Sequence, residues 1–155
     1  MIKNISNLGD AAAYCDFGSE VNQKINQNVI NYFNSLSKLV QKNKINGINN
    51  ITPSYNKLII SFDLSKIDYL EIKKIVQNLD IKDTMQNRHN NIKIPVCCDD
   101  EFGLDFDRLS DKVKLSKQEI LELYLNKEYF CYMTGFIAGM PFLGNLDKKI
   151  RCDRL

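Results

Sequence analysis

The sequence has one histidine, His89, and no two cysteines in a C-x-x-C arrangement. These two shortages exclude the commonest metal and nucleophile schemes. A structural zinc site needs four ligands at finger-like spacing, and His89 sits in the polar stretch KDTMQNRHNN with no cysteine near enough to join it. It reads as a solvated loop residue, and no Ser-His-Asp or Cys-His constellation can be built around it. Long apolar runs are lacking too. The longest is a few residues, far short of a membrane span, and the opening MIKNISNLGD has no apolar signal-peptide core. The expected location is therefore cytoplasmic, with no membrane contact. No block of Lys or Arg stands out, and the formal net charge is +2, so nucleic acid and anionic membranes find no electrostatic footprint. No Gly-Lys-Ser or Gly-Lys-Thr follows any glycine, which excludes a P-loop. The five cysteines, Cys15, Cys97, Cys98, Cys131 and Cys152, read as reduced thiols, mostly buried or half-buried.

What is present is an ordinary globular composition, 44% hydrophobic and 26% charged over 155 residues, long enough for one real core. Residues 11–17 alternate as a strand with Ala11, Ala13, Cys15 and Phe17 on one face, preceded across Gly9-Asp10 by a short strand at 2–6. Ser19 is placed to cap a long helix whose stripe is Val21, Ile25, Val29, Tyr32, Leu36 and Leu39, with Asn, Gln and Lys on the outer face. Strands follow at 48–52 and 57–63, the second with Leu58, Ile60 and Phe62 alternating. Asp68 and Glu71 make a capping box for a helix whose apolar face is Tyr69, Ile72, Ile75, Val76 and Leu79. Residues 82–91 read as a polar linker or surface loop. Ile92, Ile94 and Val96 alternate as a further strand, with Pro95 arguing for an edge or a strand end. The expected fold class is α+β, a two-layer α/β sandwich in the order β-β-α-β-β-α-β. Two short helices then start at Asp105 and at the Ser116/Glu119 capping box, and residues 128–133 alternate as a strand. The acidic run Asp99-Asp100-Glu101 reads as a solvated turn. A metal or phosphate-magnesium site there would need further oxygen ligands.

Residues 129–147, YFCYMTGFIAGMPFLGNLD, are the most distinctive stretch. Gly135, Gly139 and Gly144 allow positive φ or close backbone approach, and Pro141 fixes a bend. Phe136, Met140, Phe142 and Leu143 are large apolar groups set among them, and water tolerates such a loop only under cover. GFIAGMPFLGNLD resembles the GF-x-PGFPYLGGL signature of the family containing the B subunit of bacterial 5-oxoprolinase. That family is also described as allophanate hydrolase subunit 1 and includes Kip-type inhibitors of a sporulation histidine kinase. The resemblance spans the chain. NLGDAAAYCDFGSEVN is similar to the family's opening strand and turn, Pro53-Ser54-Tyr55 with the strand at 58–63 to its P-x-Y-x-x-L strand, and IPVCCDDEFGLDFDRL to its IPVCYGGEFGPDL stretch. Glu128-Tyr129 followed by Gly135-Phe136 matches its E-Y-x-x-Y-x-x-GF run. The chain departs at Ala138, Met140 and Asn145, which stand for proline, phenylalanine and glycine, and at Tyr124, which stands for a histidine.

The resemblance implies a component of an ATP-dependent 5-oxoprolinase that opens 5-oxoproline to glutamate, with ATP and Mg in the assembled complex and none bound by this chain alone. The implied partners are the A-like and C-like 5-oxoprolinase subunits, with a separately encoded cyclophilin-like barrel as a further one and self-association through the apolar C-terminal segment as the alternative. It implies substrate or subunit-interface roles for Tyr55, Phe102, Gly103, Gly135, Phe136, Gly139, Pro141, Phe142, Leu143 and Gly144, and it assigns no catalytic residue. Expected domains are an N-terminal α+β sandwich at 1–96, a helical and strand extension at 97–134, and a glycine-rich loop with the truncated start of a cyclophilin-like β-barrel at 135–155. Two alternatives to the enzymatic role are a Kip-like protein-binding regulator and a truncated gene remnant without activity.

Overall fold

The structure is a computed structural model that describes residues 1–81 and 91–153. The polar stretch around His89 lies outside the described residues. The described residues fall into two compact units, 1–81 with 132–141, and 91–131 with 142–153.

In the first unit, β1 (Asn4–Asn7) and β2 (Ala12–Asp16) form an antiparallel hairpin with Ile5 opposite Cys15. The tight loop between them turns through Gly9 at φ 60°, a conformation that favours glycine. The chain then crosses through α1 (Gln23–Gln41) to a second hairpin, β3 (Ile48–Pro53) and β4 (Lys57–Phe62). β4 inserts beside β2, Ala13 facing Ile60 and Cys15 facing Leu58, so the antiparallel sheet has the order β1-β2-β4-β3. Alternation puts Ala13, Cys15, Leu58, Ile60 and Phe62 on one face, and all are buried. Val29 and Leu36 of α1 join the same cluster as Ile72 and Val76 of α2 (Tyr69–Gln77). Both helices therefore cover one face of the sheet. Each large side chain removed from water in this way contributes about 1.5–3 kcal/mol. The Asp68/Glu71 capping box is present and starts α2.

The α1 boundary differs from the expectation. Asn22, not Ser19, is the cap: its extended backbone lets the side-chain oxygen accept the Ile25 N–H at 2.9 Å. Val21 consequently precedes the helix and is 51% exposed, and the inward stripe begins with Ile25.

In the second unit, α3 (Phe106–Val113) and α4 (Lys117–Leu125) precede a 3-10 turn at Lys148–Ile150, with Ile120 and Ile150 buried. Ser116 and Glu119 form the expected capping box. Asp105 stands at the start of α3 without bonding a backbone N–H; its carboxylate instead accepts from Arg108 Nη2 at 3.0 Å. The expected strand over Ile92, Ile94 and Val96 is absent. The segment has no strand partner among the described residues, and Ile92 is 80% exposed. Alternation sets which face a side chain takes, but a strand also needs a neighbour to bond, and Pro95 lacks an N–H to offer one. The seventh element of the expected order is thus missing, while the antiparallel two-layer arrangement stands.

The strand expected near 128–133 is β5 (Phe130–Thr134), which pairs with β6 (Pro141–Gly144) in a two-stranded ribbon. Among the described residues it does not close into a barrel. No helix among them is long and apolar enough to cross a membrane.

Candidate functional site

The ribbon's loop, residues 135–140, is built around two backbone bonds. Gly135 N–H donates to Met140 O at 3.1 Å, and Met140 N–H donates to Ile137 O at 3.2 Å. The second closes a four-residue turn with Gly139 in its third place at φ 79°, where a type II turn demands positive φ. A Cβ at Gly139 would meet open space, so backbone conformation and not crowding requires glycine there. Gly135 and Gly144 do not carry positive φ; the left-handed residues are the next in sequence, Phe136 at φ 67° and Asn145 at φ 72°. Asparagine is the residue that tolerates this region best after glycine, so Asn145 holds this conformation at little cost. Phenylalanine has no such tolerance. Phe136 is also 91% exposed, and Ile137 and Met140 are exposed beside it.

An apolar loop this open is held in place from beneath. Asn26, on α1 and 2% exposed, donates its amide to three carbonyls: Ser54 at 3.1 Å, Tyr55 at 3.0 Å and Tyr132 at 3.0 Å. The amide group has two hydrogens, so one is shared. The Tyr55 and Tyr132 rings lie 5.5 Å apart, tilted by 34°, and Ser54 Oγ donates to Met133 Sδ at 3.3 Å. The β3–β4 turn and the ribbon are therefore stapled together through one side chain. Tyr55 and residues 135–141 belong to the same unit, and Tyr55 meets the ribbon at Tyr132.

The remaining expected site residues belong to the second unit. Gly103 closes a turn, donating its N–H to Asp99 O at 3.1 Å, and a Cβ there would fall 2.3 Å from the Phe106 ring. Phe102 beside it is exposed, Phe142 and Gly144 are half-buried, and Leu143 is exposed on β6. Within the acidic run, Asp100 is paired with Lys117, whose hydrogen bond and charge hold its carboxyl below the ordinary range. Among the described residues no group of three or more His, Cys, Asp or Glu is arranged to hold a metal ion. The cysteines depart from the expectation, since only Cys15 is buried, where burial pushes its thiol up to about 12; Cys97, Cys131 and Cys152 are exposed and Cys98 is intermediate.

A polar clamp steadies the other side of the β3–β4 turn. Asn56 donates to Gly18 O at 2.8 Å and Glu20 O at 3.1 Å, and Lys57 Nζ reaches Gly18 O at 2.7 Å as well as the Asp16 carboxylate. The Lys57 hydrogen bond, then the Gly18 N–H, lower the Asp16 pKa from its ordinary 3.8. A carboxyl depressed on folding contributes stability that is complete above the ordinary value and is lost as pH falls through the lower folded one. Urea denaturation between about pH 5 and pH 3 should accordingly show a shallower loss of stability in Lys57→Met than in the parent chain. Identical slopes would mean that the pair adds nothing.

Asn26 and Asn56 escaped sequence reading. Asn26 lies one turn from Asn22 and three residues before Val29, on the buried stripe of α1. A polar residue on an apolar stripe was the available signal, and assigning every Asn to the outer face conceals it.

The architecture is an antiparallel two-layer α/β sandwich with a separate two-stranded ribbon. The chain belongs to the family described as carboxyltransferase domain, subdomain C and D, whose profile matches residues 3–155. It is 27% identical over 162 residues to the 5-oxoprolinase B subunit of Bacillus subtilis (strain 168), covering 97% of this chain and 66% of that protein. It is 30% identical over 93 residues to the 5-oxoprolinase B subunit of Haemophilus influenzae, covering 56% of this chain and 42% of that protein. The chain thus spans less than two thirds of the length of either relative. Two crystal structures of TTHA0988 share the fold, with TM-scores of 0.71 and 0.69 at 22% identity, covering 92% and 93% of this chain and 27% and 26% of theirs.

Proposed function

We propose that this chain is a B-type subunit of an ATP-dependent 5-oxoprolinase, converting 5-oxoproline, ATP and water to glutamate together with A-type and C-type partner subunits, and inactive alone. The observation that carries the reading is the alignment of 97% of the chain with a protein named as the B subunit of 5-oxoprolinase. The stapled, exposed ribbon loop supports it, because a rigid apolar edge suits a subunit interface better than a solvated surface. On this reading Tyr55, Gly135, Phe136, Gly139 and Pro141 form one contact edge, and Phe102, Gly103, Phe142, Leu143 and Gly144 contribute a second. Among the described residues no three or more His, Cys, Asp or Glu side chains gather to hold a metal ion, and the sequence has no Gly-Lys-Ser or Gly-Lys-Thr. The contribution of this chain is to position and enclose the reacting groups held across the interface.

The test is co-expression with A-type and C-type subunits, followed by assay of ATP-dependent glutamate release from 5-oxoproline. Release that depends on this chain is the expected result. If a full-length relative supports release with the same partners and this chain does not, the reading is rejected.

A further inference from the structure

We propose that Cys97 and Cys98 form a vicinal dithiol site that low-molecular-mass disulfides, such as glutathione disulfide, oxidise reversibly to an intrachain disulfide. The two thiols are neighbours in sequence and both are reachable, Cys97 exposed and Cys98 partly so.

The backbone decides whether neighbouring thiols can meet. In a strand, successive side chains point to opposite faces and a ladder holds them there. The alternating sequence before Cys97 suggested such a strand. The structure has none, and no backbone–backbone hydrogen bond among the described residues ties 92–98. The sulfurs are held only by weak local bonds: Cys97 S–H donates to Asp99 Oδ2 at 3.5 Å and Cys98 S–H to Val96 O at 3.8 Å. The fixed part of the chain begins afterwards, where Asp99 O accepts the Phe102 and Gly103 N–H groups. No strand ladder among the described residues therefore holds the two side chains on opposite faces.

The chemistry balances without any further reagent. The exposed Cys97, as thiolate, attacks one sulfur of glutathione disulfide, forming a mixed disulfide and expelling one glutathione thiolate. The Cys98 thiolate then attacks the Cys97 sulfur and expels the second glutathione. Two protein thiols lose two electrons and two protons, and one glutathione disulfide becomes two glutathione thiols. Adjacency makes the second step intramolecular, which favours ring closure over a second adduct. A ring between sequence neighbours departs from relaxed disulfide geometry, and strained disulfides are the readily reduced ones.

The experiment equilibrates the reduced full chain with mixtures of glutathione and glutathione disulfide, alkylates the remaining thiols and maps peptides by mass. The expected result is a peptide holding Cys97 and Cys98 that has lost two hydrogens, carries no glutathione, and is restored by dithiothreitol. Cys97→Ser and Cys98→Ser should each stop at a stable glutathione adduct on the remaining thiol. The proposal is overturned if the parent chain keeps persistent adducts on this pair, if either thiol links to Cys131 or Cys152, or if both stay reduced while those two exposed thiols react. Phenylarsine oxide, which bridges two nearby thiols, gives an independent readout. It should protect both cysteines of the parent from alkylation, with at least tenfold weaker protection in each serine variant. Equal protection in the variants would overturn the proposal.

Discussion

Asn26→Ala should lower the unfolding free energy by about 3 kcal/mol, because a buried polar group left without its partner costs about 1–3 kcal/mol. The substitution strips the donor from the carbonyls of Ser54, Tyr55 and Tyr132. The bond to Tyr132 is buried and the other two are partly buried, so water recovers some of the loss at the β3–β4 turn and little of it at the ribbon. The total is accordingly smaller than three full penalties. Urea denaturation gives the free energy, and amide hydrogen exchange gives its location. Exchange at Gly135, whose N–H bonds Met140 O, should accelerate ahead of exchange in β2 and β4. A loss below about 1 kcal/mol would show that the amide is dispensable to holding the ribbon.

Phe136→Gly should separate stability from function. The parent residue holds φ 67°, and a left-handed conformation costs a side chain-bearing residue about 1–2 kcal/mol. Its ring is 91% exposed, so removing it forfeits almost no burial within the chain. The isolated variant should therefore be more stable by roughly 1 kcal/mol. In the proposed assembly the opposite holds. An aromatic anchor at an interface is worth about 2 kcal/mol or more, roughly a thirtyfold loss of affinity when removed. Calorimetric binding to the C-type partner and glutamate release by the reconstituted complex should both fall. Unchanged binding with improved stability would mean that the strain at this position serves no contact. The pairing of strain with exposure is what makes the position informative, since backbone strain concentrates where a surface is kept ready for something else.

Much of the sandwich was legible because it obeys local rules. Leu58, Ile60 and Phe62 alternate and are buried; Asp68 with Glu71, and Ser116 with Glu119, are capping boxes in the sequence and in the structure. The failures share a cause. Ser19 and Asn22 are both good capping residues, and the sequence does not rank them; Asn22 is the one that caps α1. Ile92, Ile94 and Val96 alternate as a strand would, yet pairing depends on a neighbour that alternation cannot report. The family signature drew attention to the ribbon loop, where Phe136 and Ile137 are exposed. It did not mark the staple beneath, because Asn26 bonds carbonyls 28, 29 and 106 positions away. Side-chain bonds over such separations leave no periodic trace.

That span also orders events in time. A chain leaving the ribosome from its N-terminus completes α1 and the β3–β4 turn well before Tyr132 is made, so Asn26 can grip its first two carbonyls early and must wait for the third. Closing so long a loop adds little further entropy cost over a shorter one, but it cannot happen until the ribbon itself has emerged. The nascent sandwich therefore carries a vacant catch for the ribbon, and the apolar loop is presented only after the platform that aims it has been assembled.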